Sequence, residues 1–170
     1  MHPLAKYSLR HFDKYNCLKL SFIYYFILIF LLRGFAIAIL SLVNMRDKLA
    51  LIQWFYPESS MFYFSLLSGA PSLLLFYAII QRRPSAANWV KTLWHNILPV
   101  MSVFVFIDLA IYWGQYFLFS QGKLSWLFAQ TFIALSLLLF CKFNSKAKIN
   151  RKEFPEEIPE TPRKKRDVVY

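Results

Sequence analysis

The chain has 170 residues, of which 58% are apolar and 19% aromatic, with a mean hydropathy of +0.40. Only 17% are charged, yet Lys and Arg outnumber Asp and Glu by 20 to 9, a formal net charge of +11. A water-soluble domain carries about a quarter charged residues and less than half apolar ones, so this composition argues against a soluble globular domain, a disordered chain and a disulfide framework, and for an integral membrane protein.

Crossing about 30 Å of hydrocarbon takes about 20 mostly apolar residues. After an N-terminal segment of residues 1–19, four stretches qualify: about 20–43, 61–80, 97–119 and 124–143. The first is too long for the apolar core of a cleavable signal peptide and lacks a small-x-small site. Pro71 inside the second and Pro99 at the start of the third predict a kink or a separate short helix. Between the third and fourth, Ser120-Gln121-Gly122-Lys123 reads as a tight turn that makes the two an antiparallel hairpin. Residues 144–170 turn abruptly polar and carry Pro155, Pro159 and Pro162. Such a segment buries too little apolar surface to offset its ordering entropy and reads as a disordered basic tail. The predicted fold class is therefore all-α: an integral membrane bundle of four transmembrane helices with a disordered C-terminal tail.

The basic residues orient these spans. Lys6, Arg10, Lys14 and Lys19 precede the first, Arg82, Arg83 and Lys91 follow the second, and nine more lie between Lys142 and Arg166, so sixteen of twenty fall on one side. By the positive-inside rule both termini are cytoplasmic. Amphipathic rings prefer the membrane–water boundary. Trp54, Phe55, Tyr56, Trp113, Tyr116 and Trp126 are expected at the outer one, and Tyr24, Trp89 and Trp94 at the inner one. Residues 85–95, with Trp89 and Leu93 four apart, read either as a helix lying on the inner leaflet or as a plain cytoplasmic loop.

Two ionisable residues fall inside the spans. A charge at the helix centre costs about 2.5–3.5 kcal/mol on insertion scales, and such groups face the bundle interior and find partners. Arg33 lies roughly 20 Å into the first span and Asp108 roughly 17 Å into the third, at 1.5 Å per residue. Both spans run outward from the cytoplasm, so an intramembrane ion pair between Arg33 and Asp108 is expected. Tyr112 and Gln115 share a helix face with Asp108 and extend it as a polar stripe. The alternatives are that Asp108 is a proton or cation site, or that the two residues never meet. Gly34 with Ala38, Ser65 with Gly69, Ser68 with Ser72 and Ala110 with Gly114 are spaced for close helix packing. Gln130 and Thr131 are expected to hydrogen-bond within the bundle.

Other chemistry is sparse. Cys17 and Cys141 both map to the cytoplasmic edge, where thiols stay reduced. His2, His11 and His95 lie outside the hydrocarbon, without metal-ligand or haem-pair spacing. Gly-rich phosphate loops, helical HExxH and Gly-x-Ser elements are missing. No cofactor, metal or enzymatic activity is expected. Arg163-Lys164-Lys165-Arg166 beside a membrane anchor reads as a solvated, positive-inside tail in the field of anionic lipid rather than as a nucleic-acid patch.

Several short motifs occur in order: Phe12-Asp13-Lys14-Tyr15-Asn16-Cys17-Leu18-Lys19, then Leu31-Leu32-Arg33-Gly34-Phe35, then Phe55-Tyr56-Pro57-Glu58, Phe62 and Gly69-Ala70-Pro71. Together they resemble the YfeZ-like inner-membrane proteins of Gram-negative bacteria, over roughly residues 12–83. The resemblance implies a bacterial inner-membrane location and a small multi-span bundle, and it implies no activity. The expected function is a structural or accessory one, as a subunit or modulator of a membrane complex. The alternative is a small oligomeric transporter or channel with Asp108 on its pathway. Expected partners are the lipid bilayer, anionic lipid near the basic tail, and another membrane protein or further copies of the chain.

Overall fold

The computed structural model describes residues 7, 11–13, 15, 17–44, 47, 49–120 and 122–156. Its helices are α1 (Phe22–Leu31), α2 (Arg33–Val43), α3 (Ala50–Phe55), α4 (Ser59–Gly69), α5 (Ser72–Ile80), α6 (Asn88–His95), α7 (Ile97–Phe119), α8 (Leu124–Phe143) and α9 (Ser145–Lys152). Among the described residues the only extended pairing is an isolated antiparallel bridge between Phe12 and Leu18.

Two helices, α7 and α8, are each long and apolar enough to cross a membrane. The pairs α1 with α2 and α4 with α5 reach that length and composition only together, across bends of 70° and 43°. The four stretches expected from the sequence thus divide into two continuous helices and two broken ones. Proline position explains only part of this. Pro71 sits at the α4–α5 break, where the ring removes a backbone donor and crowds the preceding turn. Pro99 leaves α7 unbroken because it lies in the first turn, where its missing N–H has no intrahelical acceptor to lose. The sharper bend, between α1 and α2, falls at Leu32 with no proline near it. Its neighbour Arg33 supplies the cause, described below.

One face of α7 organises the interior. Ile97, Met101, Val105, Asp108, Tyr112 and Gln115 are buried at spacings of three or four, the seam of a helix packed against neighbours. Its lower half joins Ile27, Leu31, Leu75 and Trp94 in the larger core, and Tyr112 joins Ile37, Tyr56, Met61 and Leu127 in a smaller one. The outside is equally apolar: Phe22, Phe26, Phe106, Phe132, Leu139 and Phe140 are all exposed. A soluble monomer rarely presents so continuous an apolar surface.

Close approach follows the small residues in two of the four expected pairs. A Cβ on Gly34 would stand 2.5 Å from Ser65 Oγ, and one on Gly69 would stand 2.9 Å from the Leu31 carbonyl oxygen. Ser68 and Ser72 are buried. Ala110 and Gly114 do not pack as expected, because Ala110 is exposed and nothing lies within 4 Å of where a Gly114 Cβ would sit. The α7–α8 connection turns through left-handed backbone at Ser120 (φ 53°) and Gly122 (φ 89°).

The C-terminal segment corrects the expectation of disorder from residue 144. Asn144 caps α9 by accepting a hydrogen bond from the Ala147 N–H, and Ala147 and Asn150, three apart on one face, are fully buried. Composition misled because this helix is held by a few buried polar contacts rather than by apolar area. Residues 157–170, including the Arg163–Arg166 cluster, lie outside the described residues.

Candidate functional site

Arg33 and Asp108, 75 residues apart in sequence, meet directly: Arg33 Nη2 lies 2.9 Å from Asp108 Oδ2. Asp108 is completely buried in the α7 seam, and its second oxygen accepts a 2.8 Å hydrogen bond from Ser68 Oγ on α4. The carboxylate therefore ties together α2, α4 and α7.

The guanidinium has a second task. Arg33 Nη1 donates at 2.7 Å to the Phe30 carbonyl in the last turn of α1, one of the carbonyls that a helix end leaves without an intrahelical partner. Arg33 thus closes off α1 while opening α2, and this is why the chain turns by 70° here without proline. Gly34 immediately follows and lets α2 lie against Ser65 of α4. The guanidinium carbon sits 4.5 Å from the Phe30 ring centroid and 4.8 Å from that of Tyr112. Two aromatic faces thereby offset part of its desolvation.

Of the expected polar stripe, Tyr112 reaches the pair through its ring. Gln115, although buried on the same face, does not hydrogen-bond to the pair, and its amide has no hydrogen-bond partner among the described residues. Thr131 bonds as expected, accepting from Trp113 Nε1 at 3.1 Å and donating to the Leu127 carbonyl at 2.8 Å. Gln130 Oε1 is buried without a partner among the described residues. Gln130, Arg33, Phe30 and Ile37 border an almost wholly apolar cavity of about 220 Å³ beside the pair.

A second buried polar junction gathers residues that the sequence reading placed elsewhere. Asn150 accepts from the Ser21 N–H at 3.1 Å and donates to the Leu18 carbonyl at 2.8 Å. Tyr24 Oη donates to the Ala147 carbonyl at 3.0 Å, and Trp94 Nε1 to the Asn150 carbonyl at 2.9 Å. Tyr24 and Trp94 are therefore core residues binding α9 and not members of an interfacial belt. Tyr56, expected in the outer belt, is likewise buried, with its hydroxyl 2.8 Å from Ser65 Oγ. The segment around residues 85–95 does form an amphipathic helix, but Val90 and Trp94 make its buried face while Trp89 is half exposed and stacks on Tyr77.

Arg82 completes this junction. It donates to the Glu153 carbonyl at 3.1 Å, and its guanidinium carbon lies 4.8 Å from the Trp94 ring centroid. Glu153 Oε2 in turn accepts from the Leu18 N–H at 3.0 Å. Burial lowers the Arg82 pKa, against the opposing pull of Cys17 and Glu153. Burial also pushes the Cys17 thiol above its ordinary value, a rise that the Arg82 charge reduces. Cys17 and Cys141 are both free. The signal for this junction in the sequence was faint: one asparagine among lysines, three residues after an alanine.

A family model described as "Protein of unknown function (DUF2919)" matches residues 7–151. The chain belongs to that family, and the matched region takes in both halves of the ion pair and all but the last residue of the docked helix α9. No curated protein and no solved structure matches it.

Proposed function

We propose that this DUF2919-family chain is a four-span inner-membrane protein with both termini in the cytoplasm, serving a structural or accessory role as a small subunit or modulator of a membrane complex. The spans are the two continuous helices and the two bent pairs. The lopsided distribution of Lys and Arg supports the orientation, and the likeness to YfeZ-like proteins supports a bacterial inner membrane. We assign the chain no catalytic activity.

The observation that carries the structural role is the saturation of Asp108. Both carboxylate oxygens are engaged, by Arg33 and Ser68, and the residue has no exposed surface. A carboxylate that carries a proton or cation across a membrane must exchange its partners with an aqueous path. One held by an arginine and a serine on two neighbouring helices acts as a fastener. The competing reading, a small oligomeric transporter or channel, draws on the buried Gln115 amide and on Gln130 Oε1, which lack hydrogen-bond partners among the described residues.

Asp108→Asn in the full chain separates the two. On the structural reading the variant melts at lower temperature and accumulates less, and the parent chain in proteoliposomes passes protons and monovalent cations no faster than empty vesicles. Cation flux in the parent that disappears in a variant of unchanged melting temperature overturns it.

A further inference from the structure

We infer that the cleft between α7, α8 and α9 is a binding site for an anionic phospholipid of the cytoplasmic leaflet. The inference rests on the orientation proposed above, which puts the C-terminal end of α8 at the cytoplasmic surface.

The cleft has a volume of about 740 Å³ and two chemically distinct parts. Its walls are Leu98 and Phe106 from α7 and Leu135, Leu138 and Leu139 from α8. Its rim carries Lys142 at the end of α8 and Lys148, Arg151 and Lys152 from α9. No carboxylate lines it, and none lies within 4 Å of these cations among the described residues.

The local structure explains how the rim is built. Ala147 and Asn150 turn one face of α9 into the protein. Lys148 and Lys152, four apart, are thereby turned to the other side, while Arg151, one turn after Ala147, lies at the border of the buried face. The three like charges, at spacings of three and four from Lys148, repel one another. Lys142, Lys148 and Lys152 are exposed, whereas Arg151 Nε is buried with no hydrogen-bond partner among the described residues.

An occupant must satisfy both parts. The nine residues from Leu98 to Phe106 and the eight from Leu135 to Lys142 extend the apolar wall roughly 10–12 Å away from the rim. A free phosphate ion would meet the cations and leave that wall empty. A zwitterionic lipid would fill the wall but bring its own cation to the rim. A lipid with a net-negative phosphodiester headgroup matches both, with its phosphate at the lysines and its acyl chains along α7 and α8. Because α9 is fastened to the Ser21 and Trp94 region through Asn150, the bound headgroup would also brace the docked C-terminal segment.

The test uses the full chain purified in mild detergent. Thermal melting and native mass spectrometry are run with added phosphatidylglycerol, phosphatidylcholine or inorganic phosphate. Phosphatidylglycerol is expected to raise the melting temperature and to remain bound where the other two do neither. Substituting Lys142, Lys148 or Lys152 by Gln is expected to weaken retention about five-fold per removed charge. The melting temperature of each variant in phosphatidylcholine should stay at the parent's value, since these side chains are exposed. A variant with Arg163, Lys164, Lys165 and Arg166 all changed to Gln should retain the lipid as the parent does.

Equal effects of phosphatidylglycerol and phosphatidylcholine overturn the inference, as does an equal shift with inorganic phosphate. So does loss of retention in the tail variant but not in the cleft variants. Extraction of native membranes with alkaline carbonate separates the two levels of the argument. A chain released by carbonate contradicts the membrane reading itself. A chain that stays in the membrane but shows no lipid preference contradicts the site alone.

Discussion

The Arg33 guanidinium lies 2.9 Å from the Asp108 carboxylate while its other terminal nitrogen holds the Phe30 carbonyl at 2.7 Å. One side chain therefore closes a helix, sets a 70° bend and fastens α2 to α7. Replacing Arg33 by Met strands a buried carboxylate and should cost about 3–5 kcal/mol. Replacing it by Lys keeps the charge but loses the fork that reaches both acceptors, and should cost less, about 1–2 kcal/mol. Thermal melting in mild detergent reads both. A lysine variant as unstable as the methionine variant would show that the charge alone counts for nothing.

The two glycines of the small-residue pattern should respond in opposite ways. Gly34→Ala drives a methyl against Ser65 and is expected to cost about 1–3 kcal/mol through overpacking. Gly114→Ala meets nothing and is expected to be neutral or stabilising by up to about 1 kcal/mol, from helix propensity. Matched melting curves of the two variants check this, and equal destabilisation would contradict the α2–α4 contact.

Asn150→Ala removes an amide that serves Ser21 and Leu18 in the interior. Stranding each buried partner should cost about 1–3 kcal/mol. The local effect is more telling than the global one: protease cleavage within residues 144–156 should accelerate while the α7–α8 hairpin stays intact. Unchanged cleavage would mean that Asn150 does not hold α9.

Cys17 is buried, and its thiol is raised above its ordinary value. It should resist maleimide at pH 7.5 in the folded protein and react after denaturation. A group whose folded pKa is raised contributes stability that is fully present below its unfolded pKa, near 9 for this thiol. That contribution is lost as pH rises through the folded value. The parent should therefore lose more melting temperature between pH 8 and pH 11 than Cys17→Ser does. Equal losses would assign the alkaline sensitivity elsewhere.

Much of this architecture was legible in the sequence, for identifiable reasons. Apolar runs of the right length marked α7 and α8, and the same runs marked the two bent pairs, of which Pro71 announced the α4–α5 bend while nothing announced the sharper one at Leu32. The register of Arg33 and Asp108 was readable because α-helical rise converts sequence position to depth. What their contact also does, capping α1 through Phe30, was not readable, since it depends on where the helix stops. Ser68 was visible as a small residue, but its role as a donor to Asp108 needs the facing helix. Tyr24 and Trp94 were assigned by residue type to an interfacial belt, whereas their polar atoms are satisfied by the backbone of α9. That helix itself escaped notice because composition registers apolar area and not one well-placed asparagine.

The central claim is that Asp108 and Arg33 act as a single structural unit. A double-mutant cycle with Arg33→Met, Asp108→Leu and the combined variant, read as unfolding free energy in mild detergent, addresses it most directly. The account predicts that the double variant is more stable than either single one, with a coupling of about 2–3 kcal/mol. Single costs that simply add in the double variant would contradict it.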